Sequence, residues 1–178
     1  MADVNEEIVA QYLKLVKKWL CAVDISFVVP QNYSNVDLLA FDPASGTYYD
    51  IEVKYRSAYS ITATDRNGND ISASSVQWLV EQFTGYPERE KVIKQYTSNR
   101  STTKVLVTTK QMMGKKDAKR HKLEAAFKKG LAKAGFRDSE VWYFDEMIPE
   151  IVNQVRIEGR YNTELLQTIR MLKVYGNK

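Results

Sequence analysis

Asp37, Glu52 and Lys54 are the residues whose types and spacing could carry chemistry. Asp42-Pro43-Ala44-Ser45-Gly46 is turn sequence, with proline presetting φ and glycine accepting a left-handed backbone. It separates two alternating segments, Val36 to Phe41 and Thr47 to Tyr55. With Pro43 to Gly46 as the loop, Asp42 pairs with Thr47, and counting back along the hairpin sets Asp37 opposite Glu52. The side-chain period of two puts Asp50, Glu52 and Lys54 on one face and Tyr49, Ile51, Val53 and Tyr55 on the other. Two carboxylates at cross-strand distance repel unless a cation lies between them, and oxygen ligands suit Mg²⁺ or Mn²⁺ far better than zinc. A lysine two residues on can hold a phosphate oxygen, or help position and deprotonate an attacking water, so the set fits phosphodiester cleavage. The same residues are also what an alternating strand carries on a solvated face for solubility.

Apolar side chains at Ile8, Tyr12, Leu15, Val16, Trp19, Leu20 and Val23 recur every three or four residues and predict an amphipathic helix over residues 4 to 23. Cys21 falls on its apolar face, as core packing. A β-type run at Ile25 to Val29, a polar loop from Gln31 to Asn35 and the hairpin follow. Thr62 to Ser75 reads as a surface loop, with helices over about 75–83 and, after the Pro87 break, 88–96. Lys104 to Thr109 is β-branched without alternation, as in a strand covered on both faces. The remaining segments predict a basic helix from Lys115 to Ala134, a strand at Val141 to Phe144, a helix from about Pro149 to Val155 and a last helix from Thr163 to Val174. The class is α/β, as one domain spanning 1–178.

Composition narrows the chemistry. One cysteine and one histidine, His121, exclude an intramolecular disulfide, zinc-finger ligation, Cys/His nucleophilic catalysis and multi-histidine metal sites. Catalysis must then run on carboxylates, lysines and hydroxyls. With no apolar run near the roughly 18 residues of a membrane span and no basic leader, the expectation is a cytoplasmic protein without a membrane partner. The net charge of +4 leans towards a polyanion but decides little by itself.

Asn32-Tyr-Ser-Asn-Val-Asp37-Leu-Leu-Ala-Phe followed by Tyr49-Asp-Ile-Glu52-Val-Lys54 resembles the PD-(D/E)XK nuclease superfamily, whose members place an Asp on one strand and Glu-x-Lys on the next. Val36 stands where that family commonly has proline. The resemblance implies a restriction-endonuclease-like core, a mixed central sheet flanked by helices, here with extra C-terminal helices. It also implies a Mg²⁺-dependent nuclease, Mn²⁺ substituting, acting on nucleic acid and most naturally DNA. Asp37 and Glu52 would be the metal ligands and Lys54 the charge-stabilising group, with Ile51 or Val53 offering a backbone carbonyl. Family members often add a glutamate from the first helix; Glu6 and Glu7 are the candidates, and Glu6 lies nearer the apolar stripe. Helix capping explains either residue equally well. Gln82-Phe-Thr-Gly-Tyr86 imitates the Gln-x-x-x-Tyr motif of RecB-type exonucleases, while the small size is similar to Holliday-junction resolvases; Pro87 would end the helix that carries the motif. A homodimer would supply two centres for two strands. The rival reading keeps the fold as a catalytically silent nucleic-acid-binding or assembly protein.

Lys115, Lys116, Lys119 and Arg120 open the densest positive stretch of the chain and are candidate phosphate contacts. Around the Leu123, Phe127 and Leu131 stripe they are equally what a solvated helix face carries. Tyr33 and Tyr55 flank the Asp/Glu/Lys set closely enough to touch a substrate or to pack beside it.

Overall fold

The computed structural model describes residues 3–30, 32–55, 61 and 75–176; the expected loop at 62–74 lies outside them. Helix α1 (Val4–Tyr12) starts on Asp3, whose carboxylate accepts the Asn5 backbone N–H at 3.5 Å. It widens into a π-helical turn, Leu13–Lys17, and stops at Lys18, which takes a left-handed φ of 62°. The helix expected to reach residue 23 is therefore shorter, and strand β1 (Leu20–Val29) begins where the last helical turn is expected. Trp19, Leu20 and Val23 satisfy either period, so the pairing of Leu20 with Phe41 and Cys21 with Ala40 decides. Cys21 is thus a half-buried strand residue rather than part of a helix face.

Strand β2 (Asn32–Asp42) takes in Asn32 to Asn35, which the polar composition reads as loop, because each of the four has a partner on β1. The hairpin to β3 (Thr47–Val53) closes in the predicted register, with Asp42 opposite Thr47 and Leu38 opposite Ile51. Gly46 turns the chain at φ 71°, and the Asp42 carboxylate accepts the Ala44 N–H and the Ser45 hydroxyl at 2.9 and 2.7 Å. Two helices follow, α2 (Val76–Thr84) and α3 (Pro87–Tyr96), the second with Pro87 in its first turn, where a missing N–H costs nothing.

Strand β4 (Thr102–Thr108) lies between β3 and strand β5 (Ser139–Tyr143), parallel to both. Val105, Leu106 and Val107 are fully buried, as the unalternating run predicts. Between these strands run the short α4 (Lys110–Met113) and α5 (Asp117–Lys133), whose Leu123, Phe127 and Leu131 face inward as the stripe predicts. Gly130 lets α5 approach α2, since a Cβ there would lie 2.6 Å from Val80 Cγ2. Helix α6 (Phe144–Gln154) starts before the expected Pro149, which sits inside it, and α7 (Glu164–Tyr175) is capped by the Thr163 hydroxyl.

The result is a five-stranded mixed sheet in the order β1-β2-β3-β4-β5 with helices on both faces. One face packs Leu38, Ile51, Val53, Val105 and Val107 against α1, α6 and α7. The other packs Leu106 against α2, α4 and α5, while α3 covers Ile25, Phe27, Val29 and Leu39 with Ile93. No described helix is long and apolar enough to cross a membrane.

Candidate active site

Asp37 sits at an interruption in the sheet. On one side the β1-β2 ladder pairs Val23 with Leu38 and Ile25 with Val36 but skips Asp24 and Asp37, and Asp24 has φ 56°. Across this kink the same-parity side chains of β1 change neighbours: Cys21 packs towards α1 and α6, whereas Ile25, Phe27 and Val29 pack with Ile93 of α3. On the other side the β2-β3 ladder ends at Leu38–Ile51, and the Asp37 carboxylate takes the next donor itself, accepting the Val53 N–H at 2.7 Å.

Lys54 follows immediately, its N–H bonded to the Val107 carbonyl at 2.9 Å. Its ammonium lies 2.5 Å from Glu52 Oε1 and 3.8 Å from Asp37 Oδ2. The three residues picked out by spacing therefore converge, with Lys54 between two carboxylates that are largely buried. Burial pushes both carboxyls above their ordinary values. At Asp37, Lys54 and the Val53 N–H pull back without winning, and Glu6 adds to the rise. At Glu52, Arg89 and Lys54 oppose burial while Asp37 reinforces it.

Nothing in the sequence pattern marks Arg89. From the first turns of α3 its guanidinium reaches Asp50 Oδ1 and Glu52 Oε2, both at 2.7 Å. The contact to Asp50 is a hydrogen bond; the one to Glu52 is an ion pair by distance alone, and Glu52 Oε2 is a buried oxygen with no hydrogen-bond partner among the described residues. Behind it Lys104 joins Asp50 and Glu90 at 3.0 and 2.7 Å. Asp50 and Glu90 thus match Lys104 and Arg89 in number, and Asp37 and Glu52 retain Lys54 as their own cation. Among the described residues of this cluster one negative charge is left over, the condition a divalent cation relieves. A buried Glu52 oxygen that accepts no hydrogen bond, paired with Arg89 by distance alone and beside a second buried carboxylate, is a hard-oxygen donor set of the kind that suits Mg²⁺ or Mn²⁺. Among the described residues no three Asp, Glu, His or Cys side chains form a ligand cluster, so further ligands would be backbone carbonyls or water.

Glu6 lies close enough to raise the Asp37 carboxyl, and its own is raised by burial against the pull of the Asp3 backbone N–H it accepts. That bond is a helix cap, so Glu6 serves the α1 terminus while lending negative potential to the centre. Gln82 donates to the Trp78 carbonyl of its own helix at 3.0 Å, and Tyr86 caps α3 half-exposed, its ring beside Phe27.

Because β3 and β4 are parallel, Lys54 and the segment after Thr108 lie at one end of the sheet, and α5 begins there. Lys115, Lys116 and Lys119 are exposed at that end, whereas Arg120 is tied to Asp117 and to the Gly114 carbonyl. Tyr55 is half-exposed with its ring edge on Phe144, and Tyr33 is the more exposed of the two. Comparison with protein-family models, curated proteins and solved structures yields no match in any of the three.

Proposed function

We propose that the protein is a metal-dependent nuclease that hydrolyses phosphodiester bonds of DNA at Asp37, Glu52 and Lys54, on a restriction-endonuclease-like core. The observation that carries this reading is the convergence of two buried carboxylates, one with an oxygen that accepts no hydrogen bond, on a single lysine at the end of the β2-β3 hairpin. The order of a helix, three antiparallel strands, helices and a parallel strand supports it. Asp37 and Glu52 would hold Mg²⁺, with the Val53 or Ile51 carbonyl as a further ligand. The ion would supply positive charge to the phosphoryl oxygens and lower the pKa of the attacking water. Lys54, pinned by both carboxylates, presents its ammonium to the charge that develops in the transition state. Lys115, Lys116 and Lys119 would draw the polyanion to this end of the sheet, with Arg120 secondary.

One contact favours the rival of a silent binding protein: Arg89 and Lys54 already stand against Glu52, at 2.7 and 2.5 Å, where an ion would compete with them. Incubation with labelled duplex, single-stranded and branched DNA and with RNA, in Mg²⁺, Mn²⁺ or EDTA, decides between them. Cleavage in either metal, lost in EDTA and in Glu52→Ala, is the expected result. Binding without cleavage in both metals hands the site to the rival.

A further inference from the structure

On the sheet face away from Asp50 and Glu52, three aromatic rings distant in sequence meet. Trp19 is placed by the π-helical turn, its N–H bonded to the Leu13 carbonyl at 2.9 Å. Tyr49 comes from β3, on the parity of Ile51 and Val53, and Trp142 from β5. Trp19 stacks on Tyr49 with centroids 4.4 Å apart, and Trp142 lies 5.9 Å from each. Together with Tyr12 they wall a pocket of about 440 Å³.

The rim is acidic. Glu140 accepts the Trp142 indole N–H at 2.6 Å, which turns the ring and leaves a carboxylate at the mouth. Glu146 and Glu150 stand one turn apart on α6; Glu146 pairs with Lys110 at 2.8 Å, and Glu150 has no partner among the described residues. The lining holds one cation, Lys17, whose ammonium already lies 5.5 Å from the Tyr12 ring centroid.

We propose that this pocket binds a small alkylated ammonium ion. Aromatic faces carry negative quadrupole density and attract a cation whose alkyl groups also bury apolar ring surface. The glutamates supply longer-range attraction of the same sign. An anionic ligand such as a nucleotide phosphate meets repulsion from the rim, and a neutral apolar ligand gains nothing from it. A bare metal ion would surrender its water for ring faces that offer few oxygen ligands. The ammonium site is separate from the nuclease reading, and either can fail alone.

Trp19 and Trp142 are two of the three tryptophans, so intrinsic fluorescence reports on the pocket. The test titrates the protein with tetramethylammonium chloride at fixed ionic strength, against sodium chloride and against the neutral isostere 3,3-dimethylbutan-1-ol. A saturable change with the ammonium alone is expected, weakened roughly fivefold in Glu150→Gln, as for removal of one partly solvated charge. Trp142→Leu should remove it; because that variant disturbs packing, the exposed Glu150→Gln is the deciding one. No saturation, an equal response to the neutral alcohol, or an unchanged affinity in Glu150→Gln overturns the proposal.

Discussion

Asp50 and Glu52 are two residues apart on one strand, both buried and both touched by Arg89, yet burial ends differently for them. At Asp50 burial pushes the carboxyl up, but Arg89 and Lys104 outweigh it and hold it below the usual range. At Glu52 burial wins against Arg89 and Lys54, and repulsion from Asp37 adds to the rise. Depth does not separate a structural carboxylate from a poised one; the balance of neighbouring charges does. Asp50 is closed by two hydrogen-bonded cations, whereas Glu52 Oε2 has Arg89 at 2.7 Å as an ion pair but accepts no hydrogen bond among the described residues.

Removing the cation that both residues share should have the largest effect. Arg89→Ala leaves Asp50 with Lys104 alone and Glu52 with Lys54 alone. Unpairing a buried charge costs about 3–5 kcal/mol, a fall in Tm on the order of 10 °C for a chain of this size. Thermal unfolding followed by circular dichroism checks this, and a loss under about 1 kcal/mol would mean the network is ornamental.

The poised side is tested by function. Lys54→Ala should slow cleavage by about 10²- to 10³-fold while Mn²⁺ binding, read by calorimetry, persists; Glu52→Ala should lose both. Equal cleavage rates for wild type and Lys54→Ala would send the search for the active centre elsewhere in the chain.

A smaller effect separates the two kinds of carboxylate through pH. Asp37 has its carboxyl raised on folding, so its ionised form burdens the native state at neutral pH and the burden lifts as pH falls through the folded value. Asp37→Asn keeps an acceptor for the Val53 N–H and should raise Tm by ~2–4 °C at neutral pH, the equivalent of about 1 kcal/mol, with the gain shrinking in acid. Asp50 has the opposite sign: its contribution is present above the ordinary carboxylate pKa and is lost as pH drops through its lowered folded value. Asp50→Asn should therefore be less stable than wild type at neutral pH. Parallel curves for the two variants would erase the distinction.

The weakest expected effect is electrostatic and distant. Glutamine at Lys115, Lys116, Lys119 and Arg120 should flatten the salt dependence of DNA binding, by up to about 0.9 in slope for each phosphate no longer neutralised. Arg120 should contribute least, since Asp117 and Gly114 already hold it. An unchanged slope would leave this stretch as a solvated helix face.

Much of the site is legible locally. A turn of known length plus a period of two is enough to bring Asp37, Glu52 and Lys54 together, because hairpin register is a property of adjacent residues. The inward stripe of α5 is readable for the same reason. Local reading fails at the end of the first helix, where Trp19 to Val23 suit both periods and pairing with β2 decides. Arg89, in Pro87-Glu-Arg-Glu-Lys, has the look of a solvated helix start; it is a buried ion-pair partner because α3 packs over β1 and β2 and its first turns send the guanidinium across to Asp50 and Glu52 of β3, which no local pattern states. The kink at Asp24 and the meeting of Trp19, Tyr49 and Trp142 are of the same kind. Which residues share a face of β3 was settled in the sequence, since that follows from chain geometry over a few residues. Which charges those faces meet was settled only by the packing of the layers, since Arg89 and Lys104 reach Asp50 from segments 39 and 54 residues away.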